Sequence, residues 1–261
     1  KNKKMIIASP LLNILIKSIR NIRKFLLRDF DEIEKLQSSI KKNDNFINNT
    51  KLKLESEVNQ ILQKIKPGIP LVSNKVLPKT SCWILDYSDF YFNFSRANEN
   101  LGLGIAYKND NFIQTYLFYN PIKDYYFFFE KGLGAYKNDS RIRVSNKQEK
   151  HETIISIYKK YQDNDDKKLI KVLKSQLCEF LFNQRESGSL NYDLCELASG
   201  KVDCTIFVNP STKIDLISKL IISESGGKIN IFEYEGNKIF VCTNKLIEKT
   251  VKEMVENNII T

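Results

Sequence analysis

One apolar run in this chain ends on a carboxylate. Ser81-Cys82-Trp83-Ile84-Leu85-Asp86 is of buried-strand type, and Asp89 follows shortly after its last residue. Aspartates in that place are expected to cap the turn that follows a buried strand. Other chemistries are thinned by residue type. The single histidine, His151, sits in a polar stretch, so a multi-histidine metal site is impossible and a serine or cysteine triad is not expected. Cys82, Cys178, Cys195, Cys204 and Cys242 are odd in number and form no C-x-x-C pair, which reads as a reducing compartment, the cytoplasm. Gly102-Leu103-Gly104 and Gly132-Leu133-Gly134 do not open a helix after a strand. They therefore read as strand packing and a tight turn, not as phosphate loops.

The elements that must position these residues belong to a chain of 261 residues, enough for one large domain or two modest ones sharing a core. At 42% hydrophobic and 28% charged it can fold around a sizeable interior. No apolar run reaches the roughly 20 residues needed to span a bilayer, so no membrane is expected. The formal charge of +10 comes from lysines interspersed with acids, without an arginine-rich block or aromatic–basic alternation. Direct nucleic-acid binding is therefore not expected, although a positive field favours an acidic partner surface. At the amino end Lys1 to Lys4 and the apolar residues after them resemble a signal peptide. The apolar spacing continues through Ile19, Ile22, Phe25, Leu26 and Phe30, however, and predicts an amphipathic helix instead. The missing initiator methionine suggests a trimmed or partial chain.

Patterning predicts a helix over 9–40, a polar break at 43–50 and a helix over 52–65 closed by Pro67-Gly68. Strands follow at 101–107, 112–119 and 125–130. The last is expected to be half-buried, with an outward side suited to a dimer face. Near 148 the texture changes, giving halves 1–148 (helices and a β-meander) and 149–261 (mixed elements) in one compact unit. The second half should carry strands at 153–158 and 204–208, helices over 167–182, 192–198 and 213–224, a hairpin around Glu235-Gly236-Asn237 and a helix from Lys245. The class is α/β, layered.

Several blocks together resemble a known family. Trp83-Ile84-Leu85-Asp86-Tyr87-Ser88-Asp89 is similar to the W-I-I-D-P-L-D block of the inositol monophosphatase family, and within it to the SuhB-like extragenic-suppressor proteins. Tyr119-Asn120-Pro121, Glu130-Lys131-Gly132-Leu133-Gly134-Ala135, Arg141-Ile142-Arg143-Val144-Ser145, Gly188-Ser189 with Asp193-Leu194, and Glu224-Ser225-Gly226-Gly227 resemble its later signatures in order. The resemblance implies an α-β-α-β-α sandwich, a homodimer, and Mg²⁺-dependent hydrolysis of small phosphomonoesters such as inositol phosphates. Mg²⁺ takes octahedral oxygen ligands, so carboxylates from several segments must converge.

Carried over position by position, the resemblance leaves Asp86, Asp89 and the main-chain carbonyl of Ser88 as the residual metal ligands. The family's paired glutamates fall on Asn74 and Lys75, and its G-T on Phe90 and Tyr91. The D-x-V-T-x-x-D segment begins at Asn45 and ends at Lys51, and the late metal-binding aspartate falls on Ile214, one residue before Asp215. On a helix, one residue is about 100° of rotation, which turns Asp215 away and makes it an N-cap or a solvated acid. Gly188 and Ser189 occupy the substrate-side segment, but its later pocket acid is Phe207. These departures imply a catalytically degenerate member that binds Mg²⁺ only if a site survives and acts through protein contacts. SuhB-like proteins act in ribosomal-RNA transcription antitermination with RNA polymerase and Nus factors, without needing phosphatase activity, so a partner of that type is implied. The alternative is a Mg²⁺-dependent phosphatase with a site rebuilt from Asp86, Asp89 and Asp215.

Overall fold

The computed structural model describes residues 8–36, 40–73, 76–88, 92–158, 165–180 and 182–257. The chain divides into two compact units, 1–140 and 141–261.

The first unit begins with helix α1 (Pro10–Ile19), entered through Ser9, whose hydroxyl accepts the Leu12 amide. A single 3₁₀ turn at Arg20–Ile22 joins it to α2 (Arg23–Leu36), so the one helix expected over 9–40 is two. The apolar stripe still runs through both, with Leu12, Leu15, Ile19, Ile22, Leu26 and Ile33 buried. The break expected at 43–50 is absent, because α3 runs unbroken over Ile40–Ile65. Ile47, Thr50, Leu54, Val58 and Leu62 are all buried at spacings of three and four, so the stripe passes through the asparagine-rich stretch. Asn45, Asn48 and Asn49 form its exposed side.

The sheet of this unit runs in chain order. Strand β1 (Leu71–Val72) lies parallel to β2 (Cys82–Asp86), and β3 (Leu103–Asn109), β4 (Phe112–Asn120), β5 (Tyr125–Glu130) and β6 (Gly134–Lys137) follow as an antiparallel meander. Trp83, Leu85, Ile105, Leu117 and Phe128 alternate onto the face that packs with the helices. The opposite face is buried too, since Tyr116, Phe118, Phe127 and Phe129 have no exposure. The half-buried strand expected at 125–130 is therefore buried on both faces, apart from half-buried Tyr125 at its start. The glycines of the meander act by size. A Cβ on Gly102 would meet the Phe118 ring at 2.3 Å, and one on Gly104 would meet Tyr116 at 2.6 Å.

The short strand β7 (Ser140–Ile142) carries the chain into the second unit. There the sheet order is β11 (Lys228–Tyr234), β12 (Asn237–Thr243), β10 (Cys204–Val208), β8 (Ile154–Tyr158) and β9 (Asn183–Arg185). The first two pairings are antiparallel and the last two parallel. Helices α4 (Asp165–Glu179) and α7 (Glu248–Val255) bury Leu173, Leu177, Val251 and Met254 against Ile155, Ile206 and Val241. Helices α5 (Leu190–Ala198) and α6 (Thr212–Ser225) pack on each other, α5 on β10 and α6 on β11. Helix α6 stops at Gly226, whose φ of +83° makes the left-handed cap that the Gly-Gly pair predicts. Two sheets layered with helices make this an α/β fold, as the sequence predicts.

Candidate functional site

Asp86 is the last residue of β2, buried and paired across the ladder with Gly104. Its Oδ1 accepts the amide of exposed Ser88 at 3.1 Å, the two-residue side-chain turn expected of an aspartate after a strand. Tyr87 between them donates its hydroxyl to Glu55 Oε1 at 2.6 Å and ties this turn to α3. Asp89, Phe90 and Tyr91 lie outside the described residues, as do Asn74 and Lys75.

On α3, Asn45 is exposed and Lys51 half-buried, its amine pushed below the ordinary range by burial, against which Asp44 acts. Between them Thr50 turns inward and donates to Asp29 Oδ2 at 2.9 Å. Asp29 also receives Arg28 through Nε at 2.9 Å and Nη2 at 2.5 Å. This pair is absent from the expectations drawn from sequence. Its signal was available, because Asp29 is a polar residue on the apolar stripe of Leu26, Phe30 and Ile33. Lys108 was missed too. It is a buried ammonium that donates to the carbonyls of Pro78 (2.9 Å), Thr80 (3.1 Å), Lys79 (3.3 Å) and Asp110. A lysine at the end of a hairpin strand reads as solvated; here it clamps the segment that leads into β2. A groove of about 690 Å³ beside β1 is lined by Leu52, Glu55, Asn59, Gln63 and Pro70, and its one carboxylate is the one held by Tyr87.

In the second unit Gly188 (φ +78°) turns the chain into α5, and Ser189 caps that helix by accepting the Tyr192 amide at 3.1 Å. Ser187 Oγ accepts the Ser189 amide and donates to its carbonyl, both at 3.0 Å. Both serines are thus engaged in building the turn. Asp193 behind it is buried, and burial lifts its carboxyl to about 7 against the pull of Ser156, Ser187 and Arg185. Phe207 is fully buried and stacks on Phe240, with centroids 5.1 Å apart. Ile214 is buried in the first turn of α6. Asp215 is not the N-cap, a position that Ser211 holds; it is a partly exposed acid whose Oδ1 lies 2.7 Å from Lys219 Nζ. A cavity of about 370 Å³ beside it is walled by Thr212, Asp215, Lys219, Ile231, Lys238 and Phe240. Its one carboxylate faces two ammonium groups, which suits no divalent cation.

The sequence model of the inositol monophosphatase family matches residues 8–258. The chain belongs to the inositol monophosphatase family. It is 24% identical over 255 residues to a Pasteurella multocida protein named Nus factor SuhB, covering 95% of each chain. It is 26% identical over 263 residues to an inositol-1-monophosphatase of Rhizobium meliloti, covering 96% of this chain and 98% of that one. Among solved structures, the extragenic suppressor protein SuhB of Bartonella henselae superposes with a TM-score of 0.78 at 20% identity, covering 95% of this chain and 100% of that one. That likeness establishes the fold of the inositol monophosphatases and SuhB proteins.

Asp86, to which the resemblance assigns a metal-ligand role, caps its own turn. Asn45 and Lys51 bring an amide and an ammonium to the helical segment, and Phe207 and Ile214 bring hydrocarbon packed into the interior. Among the described residues, no three His, Cys, Asp or Glu side chains gather as a metal-binding group.

Proposed function

We propose that this chain is a catalytically degenerate member of the inositol monophosphatase family that works through protein contacts. The observation that carries the reading is at the start of α6. Ile214 buries a hydrocarbon side chain at the family's late metal-binding position, while the neighbouring carboxylate of Asp215 is already paired with Lys219. The family is generally magnesium-dependent, but the donors at the described positions do not fit that ion. An amide at Asn45, an ammonium at Lys51 and an alkyl group at Ile214 supply neither the hard oxygens nor the negative field that stripping water from Mg²⁺ requires.

The partner we propose is RNA polymerase or a Nus-type factor, with the chain acting as a homodimer in the cytoplasm. Support comes from relatives named Nus factor SuhB in Pasteurella multocida and Haemophilus influenzae. Among the described residues no helix is long and apolar enough to cross a membrane. Lysines scattered among acids favour a protein partner over direct nucleic-acid binding. A tagged protein used as bait in a lysate of its own organism should recover polymerase or Nus subunits. Recovery of neither would remove that partner.

A second reading, a Mg²⁺-dependent phosphomonoesterase with a rebuilt site, is favoured by one observation, the buried carboxylate of Asp86 at the end of its strand. Hydrolysis of any of a panel of phosphomonoesters at high Mg²⁺, abolished by Asp86→Asn, would establish it in place of the first.

A further inference from the structure

Helix α5 is buried nearly all round. Leu190, Asn191, Leu194, Cys195, Leu197 and Ala198 are inside, and so are two acids, Asp193 and Glu196. Glu196 reaches Lys201, whose Nζ lies 3.4 Å from its Oε1. Asp193 has no such outlet. It is 1% exposed, and neither of its carboxyl oxygens meets a donor in good hydrogen-bond geometry, although the hydroxyls of Ser156 and Ser187 lie close enough to favour its charged form.

The surroundings of Asp193 are hydroxyls. From the sheet, Ser156 of β8 faces it, and Thr205 lies directly across from Ser156 on β10; both hydroxyls are buried and lack partners. From the turn before the helix Ser187 faces it too, with its hydroxyl engaged by the Ser189 backbone. The charged groups acting on it are Arg185 of β9, which attracts, and Glu196 one turn along its own helix, which repels. Arg185 is exposed, so water screens its attraction. The positive end of the helix dipole favours a charge in the first turn by about 1 kcal/mol, which is small beside the cost of a buried, unpaired carboxylate. The neighbouring hydroxyls can bond either form, accepting from the neutral acid or donating to the carboxylate, so the cost of burying a charge is what separates the two. Burial is the dominant influence and places the acid at about 7, so both forms are populated near neutrality.

We propose that Asp193 is a proton-operated latch on the turn at 187–189: the neutral acid lets α5 seat on its sheet, and loss of the proton to solvent releases that turn and the first turn of the helix. Gly188 supplies the pivot, since its φ of +78° is open to it without strain. The device controls the segment that corresponds to the family's substrate side, and it stands whether or not the chain is an enzyme.

Hydrogen–deuterium exchange of the intact protein reads the latch directly. With intrinsic rates corrected, protection of the 185–198 segment should fall about tenfold per pH unit between about pH 5 and pH 7, then level off. Helix α6 serves as the internal reference. In Asp193→Asn, which mimics the neutral acid, protection should not depend on pH. A flat profile in the unaltered protein, or the same slope in the variant, overturns the latch. Should the variant fail to fold, carboxyl-carbon NMR of the unaltered protein decides. Titration of Asp193 between about pH 6 and pH 8 supports the proposal, and full ionisation at about pH 5 overturns it.

Discussion

Replacing Phe207 by alanine should destabilise the second unit by about 4 kcal/mol. The ring has no exposure and stacks on Phe240 at 5.1 Å with 20° between the planes. Truncating a buried phenylalanine loses its transfer free energy and leaves a cavity, together about 3–5 kcal/mol. The stacked pair accounts for about 0.5–1.5 kcal/mol of that, which a double-mutant cycle with Phe240→Leu should isolate. Phe207→Leu keeps most of the volume and should cost less than about 1.5 kcal/mol. Phe207→Glu restores an acid at the family's position but buries it among hydrocarbon, so it should destabilise at least as much as alanine. Urea unfolding followed by far-ultraviolet circular dichroism measures these costs. The one tryptophan, Trp83, lies in the first unit, so its fluorescence follows that unit alongside. A cost below about 1 kcal/mol for Phe207→Ala would mean that the ring walls an adaptable pocket. The argument that a family binding position has been absorbed into the core would then fail.

Other perturbations follow from the same structure. Lys108→Met removes charge-assisted bonds worth about 1.5–3 kcal/mol each but recovers several kcal/mol of desolvation, so a net loss of about 3 kcal/mol is expected from Trp83 fluorescence on unfolding. Thr50→Val takes a buried hydrogen bond from Asp29 and should cost about 1–3 kcal/mol in the same assay. Asp215→Asn breaks a partly exposed pair with Lys219 and should change stability by less than about 1 kcal/mol in denaturant titrations. Asp193 has a folded pKa of about 7 above an ordinary 3.8. Its stability penalty therefore grows as pH rises from 3.8 to 7 and stays constant above. Asp193→Asn lacks that penalty. About three pH units at about 1.36 kcal/mol each give a ceiling of about 4 kcal/mol for its gain over the unaltered protein at pH 8, measured in paired urea titrations.

Much of the fold was legible because its signals are local. The strand ending at Asp86, the meander between Leu103 and Glu130 and the glycine stop of α6 each follow from a short stretch of residue types. The break expected at 43–50 failed because composition outweighed periodicity: the asparagines are conspicuous, yet Ile47 and Thr50 keep the buried spacing. Short strands were missed for want of length, since Leu71–Val72, Gly134–Lys137 and Asn183–Arg185 are too short to show alternation. At the site, the turn-capping role of Asp86 was readable from its place after an apolar run. The clamp at Lys108, the pair between Asp29 and Thr50 and the pairing of Asp215 depend on what lies opposite in space. Single-chain patterning carries no such information for a lysine or an acid.

The proposed degeneracy requires that this family member assembles no metal centre. Calorimetric titration of Mg²⁺ and Mn²⁺ into the intact protein, beside an Asp86→Asn, Asp89→Asn double variant, tests it most directly. No saturable binding to either protein is expected. Stoichiometric binding to the unaltered chain that vanishes in the variant would contradict it, and the chain would then have to be treated as a metal-dependent phosphatase.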